Sequence, residues 1–284
     1  MEGYMELRKK GARLFFPKSS NGELTDTTHL CIAAHQDDIE LMAAGAILEC
    51  FGKGDKSFTG VVVTDGSGSP RTGVYEKCTD EEMRAIRINE QEIAADIGRY
   101  NAQFQLNYTS SEVKDKKEKE LVEELAEIII ATKPEILLIH NFADKHDTHC
   151  AVALRTLEAL RTIPVEKRPP AVYSMEVWRS LDWLCDEDKT LFDTSADESL
   201  QLALAGVFHS QIAGGKRYDL AVVGRKRGNA TYLDSHSVDS YTSVEYGLDV
   251  TELVNDESLT PSVFISKYID KFKEDVSARI SKFL

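Results

Sequence analysis

The sequence has few cysteines and fewer basic than acidic residues, and both features argue against classes of protein. Its five cysteines are odd in number, widely spaced and never form a Cys-x-x-Cys pair, which argues against a structural zinc knuckle or a thioredoxin-type redox site. We therefore expect reduced thiols and a cytoplasmic location. Acidic residues outnumber basic ones by 48 to 34. The net charge of −14 argues against nucleic-acid binding, which needs clustered Lys and Arg.

Long hydrophobic runs are also missing. No stretch approaches 18 apolar residues, so we expect no membrane span, and the apolar run at residues 14–16 is too short for a signal peptide. The glycine-rich segment 66–73 does not fit a dinucleotide fingerprint, because no helix opens at its end. We expect it to be a mobile loop that lines a site, and a plain connector is the alternative. The hydrophobic fraction of 42% is enough for a substantial core in one large domain or a domain with a subdomain.

Short apolar runs typical of buried strands alternate with helical patterns through the first two thirds of the chain. This spacing is typical of βαβ units, a parallel sheet and right-handed crossovers. We predict an α/β fold with a Rossmann-like parallel sheet, helices on both faces and a smaller C-terminal subdomain. In the strand order 3-2-1-4-5, strands one and four are neighbours at the switch point, where ligands bind. The five strands are predicted at residues 30–34, 57–64, 103–108, 135–139 and 171–177.

Three regions follow from this pattern. Residues 1–28 are predicted to form an N-terminal arm, residues 29–184 the Rossmann-like core, and residues 185–284 a C-terminal portion that completes the domain. The alternation weakens beyond residue 180, so the turn-rich stretch after residue 184 is the best boundary. In the C-terminal portion we predict helices at 199–211 and 264–283 and a strand at 218–224.

A polar cluster follows the first predicted strand. His35, Asp37 and Asp38 come directly after the apolar run, and a helical pattern begins at once. A strand that runs into a helix places this junction at the carboxyl edge of the sheet. Such a cluster is costly to bury unless its charges meet a metal or a substrate. We therefore predict that His35 and Asp38 hold a divalent metal and that Asp37 acts on a water molecule beside it.

A second cluster follows the fourth predicted strand. Residues 140–149 contain three of the seven histidines and two aspartates. His146 and His149 are three residues apart, so both can point toward the strand ends. Two histidines and a carboxylate leave open coordination positions, which suits a catalytic zinc with three protein ligands and a water. Iron(II) is the alternative metal, although oxygenases that use it usually have a β-barrel scaffold.

Residues 34–40, Ala-His-Gln-Asp-Asp-Ile-Glu, resemble the Ala-His-Pro-Asp-Asp-Glu motif of the LmbE-like, PIG-L family of zinc-dependent deacetylases. The resemblance extends in the same order over roughly residues 29–225. Its supporting elements lie at residues 64–66, 87–90, 144–149 and 209–211. The family's substrates imply a small-molecule partner, an amino-sugar conjugate from which an N-acyl group, usually acetyl, is removed. Several members assemble as oligomers, so we expect a homo-oligomer.

The resemblance also implies roles for individual residues. Zinc would be held by His35, Asp38 and His149, with Asp37 as general base and His146 stabilising charge. Related enzymes serve thiol-cofactor, glycolipid-anchor or antibiotic pathways.

The sequence departs from the family pattern at two positions. Gln36 replaces the usual proline, which should change the turn more than the chemistry. Thr148 replaces the aspartate that orients the catalytic histidine, and Asp147 or Asp144 is expected to orient His146 instead.

Arg87, Asp65 and Asp144 are the predicted substrate-binding residues, and Arg87 and Asp65 are expected to grip hydroxyls or an acidic aglycone. Two alternatives stay open. One is an amidase of a larger thiol or peptide conjugate, and the other is a non-catalytic sugar- or metal-binding protein on the same fold. The presence of Asp37 beside the full ligand set favours an enzyme, because a binding module needs no base.

Overall fold

The alternating pattern produces one mixed β-sheet, seen in a computed structural model that describes residues 5–284. Within these residues the sheet has eight strands in the order β1-β4-β3-β2-β5-β6-β8-β7. The strands are β1 (Arg13–Phe15), β2 (His29–Ala33), β3 (Phe58–Thr64), β4 (Ala102–Tyr108), β5 (Ile136–His140), β6 (Ala171–Met175), β7 (Thr190–Asp193) and β8 (Val244–Asp249).

The five central strands β4-β3-β2-β5-β6 are parallel. This arrangement confirms the predicted α/β fold and the predicted order 3-2-1-4-5. In the register between β2 and β5, Ile32 lies opposite Ile139. The carboxyl ends of these two strands therefore lie side by side, and the polar residues that follow each strand meet at one edge of the sheet.

Helices cover both faces of the sheet. Alternate side chains of β2 enter two separate cores, because successive residues of a strand point to opposite faces. Leu30 and Ile32 pack with helices on one face, and Cys31 and Ala33 pack with helices on the other. The helices are α1 (Asp38–Met42), α2 (Ala44–Cys50), α3 (Asp80–Gly98), α4 (Ser110–Lys114), α5 (Glu120–Thr132), α6 (Asp147–Thr162), α7 (Glu198–Gly206), α8 (His209–Ile212), α9 (Tyr218–Tyr232), α10 (Thr251–Asn255) and α11 (Pro261–Ser281).

Both ends of the chain add antiparallel strands to the parallel centre. The predicted N-terminal arm contributes β1, which pairs with β4; the first four residues of the arm lie outside the described residues. In the C-terminal portion, β8 pairs with β6 and β7 pairs with β8. This portion therefore continues the same sheet, while the boundaries at residues 28 and 184 stay predictions. No helix in residues 5–284 is long and apolar enough to cross a membrane.

Two predictions for the C-terminal portion need correction. The strand predicted at residues 218–224 is wrong, because this segment begins the helix α9. A short apolar run does not distinguish a strand from a helix. Here the buried residues Lys226 and Ala230 lie four positions apart, which is the spacing of one helix face. The helix predicted at 199–211 is divided into α7 and α8 by Phe208, whose backbone is not helical.

The capping box at the start of α3 provides a test of local stability. Thr79 Oγ1 accepts a hydrogen bond from the backbone nitrogen of Glu82, and Glu82 Oε2 accepts one from the backbone nitrogen of Thr79. We expect Thr79→Ala to lower the free energy of unfolding by about 1 kcal/mol. Chemical denaturation measures this loss. Thr79→Ser retains the hydroxyl and is the matched control; equal stability of Thr79→Ala and wild type would contradict the prediction.

Candidate active site

The site begins at the turn between β2 and α1. The backbone of Asp37 has a φ of 96°, a conformation that costs on the order of 1–3 kcal/mol for a residue with a side chain. Two contacts from α3 hold it. The backbone nitrogen of Asp37 donates to Gln91 Oε1 at 3.2 Å, and Arg87 Nη2 donates to the carbonyl oxygen of Gln36. A neighbouring helix thus fixes the turn, and Asp37 and Asp38 both line one cavity.

The three predicted metal ligands meet in this structure. Asp38 Oδ2 lies 3.1 Å from His35 Nδ1 and 3.2 Å from His149 Nε2. His149 Nε2 is also 3.2 Å from His35 Nδ1. Metal–ligand bonds of about 2.0–2.1 Å in a tetrahedron separate the ligand atoms by about 3.3 Å. The spacing of the three donor atoms therefore fits coordination of one metal ion.

Asp144 lies behind His149. Its Oδ2 is 3.1 Å from His149 Nδ1 and accepts a hydrogen bond from the backbone nitrogen of Val177 at 3.1 Å. Burial opposes both charges, yet the contact with Asp144 and Asp38 raises the pKa of His149 to about 10, and the contact with His149 holds the pKa of Asp144 below its usual value. Among the described residues, Asp144 is not part of the cavity lining. The structure thus places this predicted substrate-binding residue behind His149, one of the predicted metal ligands, where it fixes the orientation of the imidazole ring.

His140 is a buried member of the cluster predicted at residues 140–149, where it was expected to face the same crevice as His35 but was given no individual role. Its Nε2 accepts a hydrogen bond from the backbone nitrogen of Ala34 at 2.9 Å and lies 3.4 Å from Asp38 Oδ2. Burial and the neighbouring His149 lower the pKa of His140 to about 4. Because its Nε2 already binds the backbone, His140 supports the end of β2. Two overlapping groups have donor atoms within 4.8 Å of one another: His35, His146 and His149, and Asp38, His140 and His149.

His146 lines the same cavity as His35, Asp38 and His149. Its ring meets that of His35 edge-on, with centroids 5.0 Å apart. Within residues 5–284, neither Asp144 nor Asp147 bonds this ring. The hydrogen bond between Asp144 and His146 runs from the backbone nitrogen of His146 to Asp144 Oδ1, at 3.3 Å. Burial, with His149 and His35, lowers the pKa of His146. The expected carboxylate partner of the His146 ring is therefore not in place, while His146 itself lines the cavity.

Asp37 and Arg87 form a buried pair. Arg87 Nη2 donates to Asp37 Oδ2 at 3.1 Å, and its Nη1 lies 3.7 Å from Glu90 Oε2. Burial raises the pKa of Asp37 to about 6 although Arg87 opposes the shift, and a base with a pKa near neutrality suits proton transfer. Arg87 was predicted to bind substrate; it lines the cavity, and it also holds Asp37 in place. Glu90 in turn accepts from the backbone nitrogen and Oγ of Ser210, both at 2.7 Å.

Asp65, the third predicted substrate-binding residue, organises the glycine-rich loop. Its Oδ2 accepts from Arg84 Nη2 at 2.8 Å, and its Oδ1 accepts from the backbone nitrogen and Oγ of Ser67 at 3.1 and 2.9 Å. Gly66 has a φ of +69°, and a Cβ there would lie 2.5 Å from Gln36 Oε1. The loop does line the cavity, as predicted, while both oxygens of Asp65 are already bound.

The cavity that His35, Asp38 and His149 line has a volume of about 730 Å³. Tyr218 meets the ring of Trp178 edge-on, with centroids 5.9 Å apart. Burial, with the nearby carboxylates of Asp37 and Asp38, raises the pKa of Tyr218, so its hydroxyl stays protonated and can donate to a ligand. Several lining residues were not predicted because they come from separate segments with no local motif: Ser110, Lys114, Trp178, Lys216 and Tyr218. Lys145 also lines the cavity; it lies within the predicted cluster at residues 140–149 but was given no role.

A second cavity of about 740 Å³ lies at the opposite edge of the sheet, near the start of β5. It contains none of the predicted site residues. Its lining includes Leu48, Ile136 and Tyr173. The chemistry is therefore concentrated at the carboxyl edge of the strands, as expected for this class of fold.

Residues 30–160 match the family model described as PIG-L, GlcNAc-PI de-N-acetylase. This range contains the turn after β2, Arg87 on α3 and the segment from His140 to His149. Residues 30–160 form a PIG-L family domain. Trp178, Lys216 and Tyr218 lie outside it, so part of the cavity wall comes from chain beyond the PIG-L family domain.

Solved structures share the fold that contains this PIG-L family domain. A conserved protein of Thermus thermophilus is 19% identical, with a TM-score of 0.63 over 78% of this chain and 94% of the other. The 4-carboxy-2-hydroxymuconate hydratase of Pseudomonas putida KT2440 is 18% identical, with a TM-score of 0.59 over 79% and 96%. The N,N'-diacetylchitobiose deacetylase of Pyrococcus horikoshii, complexed with its inhibitor, is 17% identical, with a TM-score of 0.61 over 81% and 86%. No curated protein matches the chain. At these identities the likeness establishes the fold alone.

Proposed function

We propose that this protein is a metal-dependent N-deacetylase that removes an N-acyl group, most simply acetyl, from an amino-sugar conjugate. The observation that carries the proposal is the triangle of donor atoms from His35, Asp38 and His149, with the buried carboxylate of Asp37 on the same cavity. The PIG-L family domain supports amide hydrolysis as the reaction. Zinc is the proposed metal and iron(II) the alternative.

Each residue of the cluster has a distinct task in this proposal. A bound metal would lower the pKa of a water molecule to about 7 and polarise the amide carbonyl. Asp37, which Arg87 holds in place and which is not one of the proposed metal ligands, takes a proton from the water. General-base catalysis of this kind raises the rate by about 10²–10⁴-fold. As the water oxygen bonds to the acyl carbon, His146 donates an N–H to the oxyanion that forms on the carbonyl oxygen, worth about 3 kcal/mol for one donor. Asp37 then returns its proton to the amide nitrogen as the carbon–nitrogen bond breaks, which releases the amine and the acid.

Three alternatives to this function are a hydratase, an amidase of a different conjugate and a non-catalytic binding protein. One structure with this fold is a hydratase, and activated water can also add to a carbon–carbon double bond. The match to a de-N-acetylase family model over residues 30–160 favours amide hydrolysis. An amidase of a thiol or peptide conjugate would use the same residues on a different acyl donor. A non-catalytic binding protein is disfavoured because it needs no base in the position of Asp37.

The location and the oligomeric state of the protein also belong to the proposal. All five cysteines lie within the described residues and none is paired there; their reduced state stays a prediction. A cytoplasmic location and a homo-oligomer stay predictions.

Acetate release tests the proposed reaction. The wild-type protein is stripped with a chelator, reloaded with zinc, and incubated with N-acetylglucosamine and its phenyl glycosides. Zinc-loaded protein should release acetate and a primary amine in equal amounts, and stripped protein should release neither. Absence of acetate from all of these compounds, or hydration of an unsaturated acid in its place, would contradict the proposal.

The Asp144–His149 contact provides a test of the metal site. We expect Asp144→Asn to weaken zinc binding about 10- to 100-fold, because the carboxylate that orients a ligand histidine is lost. Titration with a competing chelator measures the dissociation constant. Asp147→Asn is the control, since Asp147 is exposed and lies three residues along the chain from Asp144. An unchanged dissociation constant for Asp144→Asn would show that this contact does not support a ligand.

A further inference from the structure

Three lysines converge on the mouth of the active-site cavity. Lys114 ends α4, Lys145 lies between β5 and α6, and Lys216 precedes α9, yet all three line the same cavity. Each is exposed to solvent. The whole chain has a net charge of −14, so this concentration of positive charge contrasts with the rest of the protein.

The charge of these lysines is not balanced locally. Within residues 5–284, no carboxylate lies within 4.0 Å of Lys114, Lys145 or Lys216. The nitrogen Nζ of Lys216 instead lies 5.2 Å from the centre of the Trp178 ring.

The acids of the cavity, by contrast, each have a cationic or imidazole partner. Asp37 contacts Arg87, Asp65 contacts Arg84, and Asp38 contacts His149. The positive charge available to a ligand is therefore at the mouth, and the floor presents carboxylates that would repel an anion.

We infer that the substrate conjugate carries a carboxylate or phosphate on the part remote from its N-acyl group, and that Lys114, Lys145 and Lys216 recognise it. This inference rests on the proposed function, because the N-acyl end must reach the metal ligands at the floor. A patch of one sign at the mouth of a cleft attracts and orients an oppositely charged ligand. Carboxylate and phosphate share this chemistry, and the test separates them.

Binding to a catalytically silenced protein tests the inference without turnover. Calorimetry on zinc-loaded Asp37→Asn compares 4-carboxyphenyl with 4-carbamoylphenyl N-acetylglucosaminide, and N-acetylglucosamine 1-phosphate with N-acetylglucosamine. We expect the anionic ligand of at least one pair to bind on the order of tenfold more tightly at low salt. This advantage should shrink at high salt because the lysines are exposed. The pair that shows it identifies the anionic group as carboxylate or phosphate.

A charge-matched control completes the design. Lys114→Gln/Lys145→Gln/Lys216→Gln should abolish the preference for the anion. Lys116→Gln/Lys117→Gln/Lys119→Gln removes the same charge from exposed positions outside the lining and should leave the preference intact. Equal affinity within both pairs, or equal loss in both triple variants, would overturn the inference. A retained preference without acetate release by the wild-type protein would contradict only the proposed function.

Discussion

Asp37→Asn is expected to lower kcat for amide hydrolysis by about 10²–10⁴-fold while the metal stays bound. Asparagine has the same shape but cannot take a proton from water. The fold should be preserved, because asparagine tolerates a positive φ as well as aspartate does, and residue 37 has a φ of 96°. Arg87 can still donate to the amide oxygen. Acetate release and elemental analysis on the same sample measure both quantities.

The control for this variant is Asp55→Asn, which removes the same charge from an exposed loop at the other edge of the sheet. It should retain wild-type kcat. Turnover by Asp37→Asn close to that of the wild type would remove Asp37 from the role of base, and loss of zinc by the same variant would assign it to coordination instead.

His149→Ala is expected to lose both the metal and detectable hydrolysis. The change removes one of three ligands and leaves two buried carboxylates, Asp38 and Asp144, without the imidazole that both contact. Unpaired buried charge also destabilises the fold. We therefore pair this variant with His35→Ala, which removes a more exposed ligand and should show the same loss of metal in a stably folded protein.

His236→Ala serves as the control for both ligand variants, because His236 is exposed and far along the chain from the cluster. Elemental analysis after dialysis measures the zinc content of each protein. Undiminished zinc in His149→Ala or His35→Ala would remove that histidine from the ligand set.

The parallel centre of the fold was predictable because each of its strands has a recognisable pattern within a short stretch of sequence. Residues 30–34 and 135–139 are short apolar runs that alternate with helical patterns, and polar residues follow each run. These polar residues share an edge because parallel strands end on the same side. The pairing of β2 with β5 confirms this placement. The antiparallel additions β1, β7 and β8 pair with strands that are distant in sequence, so no local pattern predicts their pairing.

The candidate site was predictable only where its residues are neighbours in sequence. His35, Asp37 and Asp38 share one turn, and His146 and His149 share another, so their spacing carries the information. The position of Asp144 behind His149 depends on ring orientation, which spacing does not specify. The helix at residue 218, predicted as a strand, brings Tyr218 to the cavity. Lys114, Lys145 and Lys216 meet only through the tertiary fold.

The central claim is that His35, Asp38 and His149 hold one divalent metal. Crystals of the zinc-loaded protein, measured on both sides of the zinc absorption edge, test it most directly. We predict one anomalous peak between His35 Nδ1, Asp38 Oδ2 and His149 Nε2. A peak instead at Cys185, Glu187 and Asp188, whose donor atoms also lie within 4.8 Å of one another, or no peak at the histidine cluster, would contradict the account.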